Sequence, residues 1–279
     1  MKVLVDEDLS KYTTIRIGGK TNNMLIPETT EELIEVVNDN SPKYYIGGGS
    51  NLLINNRVFE LVVNLRSFNT SIQYLGDGKV LVGASVRLQK LINKINELGL
   101  GGIEYLYSVP GLVGGAVVMN AGRGRQFNKS ISDYIEYVDA ICDGGVNRFS
   151  KSECGFSYRN SFFKNSDMII TSVLFCFPSM DVDESAKAKA ERIALCKEKQ
   201  DNSYPNFGSV FCYSNSAIMK IARTLKIGTT NVHFSNKTLN WIVNENNGSF
   251  DETLTAIKKV ELLHIISLQK SKREVIVWE

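Results

Sequence analysis

The chain has 279 residues, with 32 Lys and Arg against 30 Asp and Glu, for a formal net charge of +2. That balance excludes the clustered positive surface of a nucleic-acid binder. With 43% hydrophobic residues, 22% charged and five prolines, disorder, collagen and coiled coil are also excluded, and a chain this long buries roughly 75% of its unfolded surface.

Met1 to Thr14 carries Asp6, Glu7 and Asp8 with no apolar run, and no later apolar stretch is long enough to cross a bilayer, so a cytoplasmic chain without membrane insertion is expected. After Pro27, Thr29-Thr30-Glu31-Glu32 reads as a capping box opening a helix through Val37. Lys43 to Ile46 reads as a short strand running into Gly47-Gly48-Gly49, and Leu61 to Leu65 and Val80 to Ala84 read as strands. Leu88, Leu91, Ile92, Ile95 and Leu98 have helical spacing that stops at Gly99. From Gly101 to Gly124 the glycine-rich chain has no period and reads as a long functional loop. Tyr134 to Ile141 and Met168 to Phe177 read as strands around a turn at Asp143-Gly144-Gly145. Pro178 closes this α+β unit, a helix follows from about Asp181 to Gln200, and Phe207-Gly208-Ser209 opens a second domain. Beyond it come a helix from Ile218 to Leu225, a strand from Asn240 to Asn244, a helix capped by Ser249 and Glu252 and running to about Ile266, and a last strand from Glu274 to Trp278.

Familiar chemistry motifs fail on single residues. Gly19-Lys20-Thr21 resembles the end of a P-loop, but position 14 is Thr14 where the pattern needs glycine. Gly47-Gly48-Gly49-Ser50 meets Leu52 where both a Rossmann turn and a nucleophile elbow need glycine. No metal-ligand spacing is present, and five cysteines without C-x-x-C spacing predict free thiols. The two histidines, His233 and His264, read as incidental.

Two glycine loops remain, Tyr45 to Leu53 and Val109 to Ala116, the second followed by Met119-Asn120-Ala121-Gly122. Backbone N–H groups in such loops can surround a pyrophosphate. Together with Thr13-Thr14-Ile15-Arg16-Ile17-Gly18-Gly19, Tyr158-Arg159-Asn160-Ser161, Gly208-Ser209-Val210-Phe211 and Arg273-Glu274-Val275, these loops resemble, nearly end to end, the UDP-N-acetylenolpyruvoylglucosamine reductases. The short spacing from Tyr158-Arg159 to Gly208-Ser209 resembles the subclass without the extra substrate-closing loop.

The resemblance implies an α+β fold: a two-lobed FAD-binding unit of the vanillyl-alcohol-oxidase/PCMH type over 1–180, with lobes of about 1–66 and 67–180, plus a smaller α/β substrate-binding domain over 181–279 whose last strand returns to the flavin site. It implies FAD as cofactor, NADPH as hydride donor, a nucleotide-sugar substrate and a role in peptidoglycan synthesis, and hence in cell shape and division. A monomer is expected. Ser209 would donate a proton while Arg159 and Glu274 polarise the substrate carboxylate. Arg16, Ile46, Gly47, Gly48, Gly49, Ser50, Asn51, Leu52, Val109, Pro110, Gly111, Gly114, Gly115, Ala116 and Asn120 would hold the flavin, and Tyr158, Lys237 and Asn240 the substrate. Cys212-Tyr213-Ser214 departs from the family's Lys-Asn-Pro, Thr238 stands where histidine is usual, and Trp278 replaces a closing glycine. Another FAD oxidoreductase of this fold, or a non-catalytic nucleotide-binding descendant, stays open as an alternative.

Overall fold

The computed structural model describes residues 1–124 and 127–279, and the chain divides into two units. The first comprises residues 1–4, 25–48 and 62–194, and the second residues 5–24, 49–61 and 195–279. The sequence expects one boundary near 180. The observed division falls after 194 and adds two early segments to the second unit, because their Ile15, Ile17 and Leu53 are buried in one apolar cluster with Phe207, Val210, Phe211 and Val275.

The early elements are β1 (Lys2–Asp8), β2 (Lys20–Ile26), α1 (Thr30–Asn38), β3 (Tyr44–Ile46), β4 (Leu52–Ile54) and β5 (Val58–Asn64). Thr29 starts α1 by accepting the Glu32 N–H at 3.2 Å, and Leu33 and Val36 are the buried face of that helix. β3 pairs in parallel with β5, Tyr44 opposite Val62.

The rest of the first unit runs through β6 (Ile72–Gly76), β7 (Lys79–Gly83), α2 (Leu88–Glu97), α3 (Val113–Val118), β8 (Gly122–Gly124), β9 (Lys129–Ser130), β10 (Ile135–Cys142), β11 (Gly145–Ser150) and β12 (Ile169–Cys176). An antiparallel five-stranded sheet in the order β11-β10-β12-β7-β6 carries its core. Leu88, Leu91, Ile92 and Ile95 of α2 are fully buried, and Gly99 follows with φ +69°. The β10–β11 turn places both Asp143 (φ +48°) and Gly144 (φ +82°) in the left-handed region, as a tight hairpin requires. α3 lies where the sequence reads as loop. Two glycines give Val113–Val118 weak helix propensity, and tertiary packing overrides it: the Gly114 N–H donates to Ala84 O at 2.8 Å, and a Cβ on Gly114 would stand 3.1 Å from the Ala84 Cβ.

α4 (Val182–Lys199) leads into β13 (Asn206–Ser209), β14 (Phe211–Tyr213), α5 (Ser216–Thr224), β15 (Val232–Phe234), β16 (Trp241–Asn244), α6 (Phe250–Ile266), β17 (Lys272–Arg273) and β18 (Ile276–Trp278). In the second unit β13-β16-β15 form a sheet, β14 pairs with β17, and β18 runs parallel to β4 with Ile276 opposite Leu52. The single last strand read from the sequence is two strands, interrupted at Glu274 and Val275. α6 opens with a reciprocal capping box, Ser249 with Glu252.

None of the five cysteines forms a disulfide among the described residues. His264 is buried and structural, its Nε2 accepting the Asn215 N–H at 3.0 Å and its Nδ1 donating to Val260 O at 2.8 Å. No helix among the described residues is long and apolar enough to cross a membrane.

Candidate active site

Ser209 ends β13 in the second unit, opposite Trp241 of β16. Gly208 before it has φ +76°, a left-handed conformation natural to glycine. The strand is then clamped. The Val210 N–H donates to Asn240 O at 2.8 Å, the Phe211 N–H donates to Asn240 Oδ1 at 3.1 Å, and Asn240 Nδ2 donates back to Phe211 O at 2.7 Å. Val210 O accepts the Glu274 N–H at 2.8 Å. Glu274 O in turn accepts from Asn51 Nδ2 at 3.1 Å, and the Ile276 N–H donates to Asn51 O at 3.0 Å. Thus the strand end after Ser209 is joined through Val210 to Glu274, far away in sequence, and the end of the first glycine loop is tied to the Glu274 segment. The Ser209 hydroxyl has no hydrogen-bond partner among the described residues.

The Thr13-to-Gly19 motif lies in the same unit. Buried Thr13 accepts the Ile17 N–H on Oγ1 and donates to Ile17 O, closing a loop around Arg16, whose φ is +58° and whose side chain is exposed. Asn244 Nδ2 fixes this loop through Ile15 O at 2.9 Å, and the Thr14 N–H donates to Gly49 O at 3.1 Å. The Thr14 hydroxyl is buried with no partner among the described residues, and a Cβ on Gly49 would fall 1.8 Å from Tyr12 O. A left-handed glycine beside an orphaned hydroxyl suits an incoming polar ligand.

In the first unit the two glycine loops touch. A Cβ on Gly48 would lie 3.5 Å from the Leu112 N and 3.6 Å from the Gly111 Cα, and one on Gly47 3.6 Å from the Leu112 Cδ1. A Cβ on Gly115 would meet nothing within 4 Å, whereas Gly114 packs on Ala84. Pro110 is exposed and Val109 half-buried. Ile46, Leu52 and Ala116 are core side chains, leaving only their backbone to a cofactor. Ser50 is half-buried within the first loop.

Arg159 sits at φ +54° in a turn closed by reciprocal Ser157–Asn160 hydrogen bonds of 3.0 and 3.1 Å. Three contacts dock this turn on the residues after α3: Asn120 Nδ2 to Ser157 O (2.9 Å), Ser161 Oγ to Val118 O (2.8 Å) and Arg159 Nη2 to Gly122 O (2.9 Å). The Arg159 guanidinium lies 5.6 Å from the ring centroid of exposed Tyr158. Nearby Tyr105 has a buried hydroxyl without a partner among the described residues, and burial pushes its pKa far up, so it is a neutral donor.

Three of the residues expected to touch ligand hold protein partners here. The Asn120 amide serves the Arg159 turn, with Oδ1 accepting the Ser132 N–H at 3.4 Å; the Asn240 amide serves Phe211; and the Asn51 amide serves Glu274. Exposed Lys237 donates to Lys197 O at 2.6 Å. Residues that sequence reasoning missed are Thr14 as an orphaned hydroxyl, Asn244 and Arg66, whose guanidinium binds the carbonyls of Gly47 and Gly48.

The α+β fold with paired glycine loops is that of an FAD-dependent oxidoreductase. A family model described as an FAD binding domain matches residues 22–148. The chain is 34% identical over 98% of its length to the UDP-N-acetylenolpyruvoylglucosamine reductase of Thermotoga petrophila, covering 97% of that protein, and 31% identical over 94% of its length to the enzyme of the same name from Carboxydothermus hydrogenoformans, covering 88%. It also matches the crystal structure of the Thermus caldophilus enzyme with a TM-score of 0.81 and 27% identity, over 100% of this chain and 98% of that one. The chain belongs to the UDP-N-acetylenolpyruvoylglucosamine reductase family.

Proposed function

We propose that the chain reduces UDP-N-acetylglucosamine enolpyruvate to UDP-N-acetylmuramate, with NADPH as donor, and that Ser209, Arg159 and Glu274 carry the chemistry. FAD, held by the two glycine loops, would supply hydride-transfer chemistry toward the methylene carbon of the enolpyruvyl group, with NADPH as the hydride source. Charge then builds on the adjacent carbon and its carboxylate, where a cation and a proton source are needed. Arg159 would bind that carboxylate, Glu274 would polarise it, and the Ser209 hydroxyl would protonate the carbon, which is basic enough as an enolate to take a hydroxyl proton.

The observation that carries this reading is the bond from the Glu274 N–H to the carbonyl of Val210, the residue after Ser209, with the serine hydroxyl free of partners among the described residues. Gly47, Gly48, Gly49, Ser50, Gly111, Gly115 and Arg16 would face the diphosphate and ring of FAD. Tyr158 and Lys237 would bind the nucleotide-sugar; one of the three ammonium donors of Lys237 is engaged by Lys197 O, and two are left for a diphosphate. The chain would act as a cytoplasmic monomer in peptidoglycan precursor synthesis.

The test is anaerobic. The FAD-loaded protein is reduced with NADPH, and the enolpyruvyl nucleotide is added while the visible flavin absorbance is followed. Rapid return of the oxidised spectrum with formation of UDP-N-acetylmuramate supports the assignment, and a flavin that stays reduced refutes it.

A further inference from the structure

Arg66 stands just after β5, half-buried, with its backbone N–H held by Asn64 Oδ1 at 3.0 Å. Its Nε donates to Gly47 O at 3.0 Å and its Nη2 to Gly48 O at 3.2 Å. In an extended chain successive carbonyls point to opposite sides. Here two successive carbonyls meet one guanidinium, so their peptide planes share an orientation. Because each peptide is trans, the N–H groups of Gly48 and Gly49 point away from Arg66, together.

Neither of these N–H groups has a hydrogen-bond partner among the described residues. Left-handed Gly49, φ +66°, provides the reversal that turns consecutive N–H groups into an anion-binding concavity. The guanidinium stays on the carbonyl side, where it leaves the concavity open while adding positive potential behind it.

We propose that Arg66 is the positioning residue of the first glycine loop, holding the N–H groups of Gly48 and Gly49 for the diphosphate of a dinucleotide. This rests on the reading of the chain as an FAD enzyme. Arg66 touches the loop and not the reacting atoms, so its effect appears in cofactor affinity and scales with the phosphate content of the ligand.

The test uses the full chain and its Arg66→Ala and Arg66→Lys variants, each freed of flavin, titrated with FAD and separately with riboflavin by quenching of flavin fluorescence. Melting of the flavin-free proteins is measured in parallel. Loss of two charge-assisted hydrogen bonds should raise the FAD Kd of Arg66→Ala by about tenfold or more, with riboflavin affinity changed less than about twofold. Arg66→Lys, with its charge but no fork, should recover part of the loss. An unchanged FAD Kd in Arg66→Ala, or an equal loss for riboflavin, overturns the proposal. Failure of the unsubstituted chain to bind FAD would instead bring down the functional reading beneath it.

Discussion

Replacing Asn240 with alanine should weaken both the fold and the proposed protonation step. The amide makes two hydrogen bonds, 3.1 Å from the Phe211 N–H and 2.7 Å to Phe211 O, and Phe211 is 2% exposed. Each bond is worth about 1 kcal/mol net, and leaving both backbone groups of a buried residue without partners adds to this, for a total of about 2–4 kcal/mol. Out of a stability of about 5–15 kcal/mol that is a large share, and it should lower the melting temperature by roughly 5–15 °C. Asn240→Asp keeps the acceptor for the Phe211 N–H, loses the donor, and should fall between. Because Ser209 lies two residues before Phe211, the loosened strand displaces its hydroxyl, and substrate-driven reoxidation of the flavin should slow by about tenfold or more while reduction by NADPH is little changed. Thermal melts and stopped-flow traces of the two half-reactions read both effects. An Asn240→Ala protein that melts with the parent, or one in which both half-reactions slow equally, would refute the reasoning.

Ser209→Ala, which removes the proposed proton donor without disturbing the clamp, should slow reoxidation by roughly 10²-fold or more and leave NADPH reduction intact; equal slowing of both half-reactions in stopped flow removes the assignment. Leu268 should be improved by glycine. It occupies the left-handed C′ position of α6 at φ +54°, with its N–H bonded to Ile265 O and the Gln269 N–H to His264 O, and it is 92% exposed. Leu268→Gly loses little packing and relieves the backbone, so urea denaturation should show about 1 kcal/mol of added stability. The Cys154 thiol is pushed up to about 11, chiefly by burial and then by the Glu153 charge. It should resist alkylation near pH 8 far longer than Cys142, as mass spectrometry of a time course would show. Since the folded state holds that proton more tightly than the unfolded one, its contribution to stability should fade as pH climbs from about 9 toward about 11.

Elements with strong local codes are legible in the sequence. α2 has its apolar residues at helical spacing with Gly99 after them, and α6 has a complete capping box. β1 is not legible because its side chains are mostly exposed and charged, which leaves no apolar alternation. α3 is hidden because its glycines serve close approach to Ala84, a tertiary fact. At the site, the motifs holding Ser209, Arg159 and Glu274 are visible, but the joining of Val210 to Glu274 comes from backbone pairing that no side-chain pattern records. The same holds for Arg66, whose partners are carbonyls. Asn51, Asn120 and Asn240 read as ligand residues in the sequence, and their bonds to backbone groups are equally invisible there, since an amide matches a backbone N–H and carbonyl as well as it matches a ligand.

The make-up of the second unit has a consequence for how the chain acquires its structure. Ile15, Ile17 and Leu53 share a core with Phe207, Val210 and Val275, so these side chains wait for partners that are made long after them. At elongation rates of about 5–20 residues per second the roughly 150 residues between Leu53 and Phe207 take roughly 8–30 s to make. Throughout that interval the early segments offer unsatisfied apolar surface to chaperones and to neighbouring chains, and closure of so long a loop makes the last step of folding slow. Circular permutants that place residues 5–61 beside 195–279 would shorten that wait, and their refolding should be faster with less aggregate.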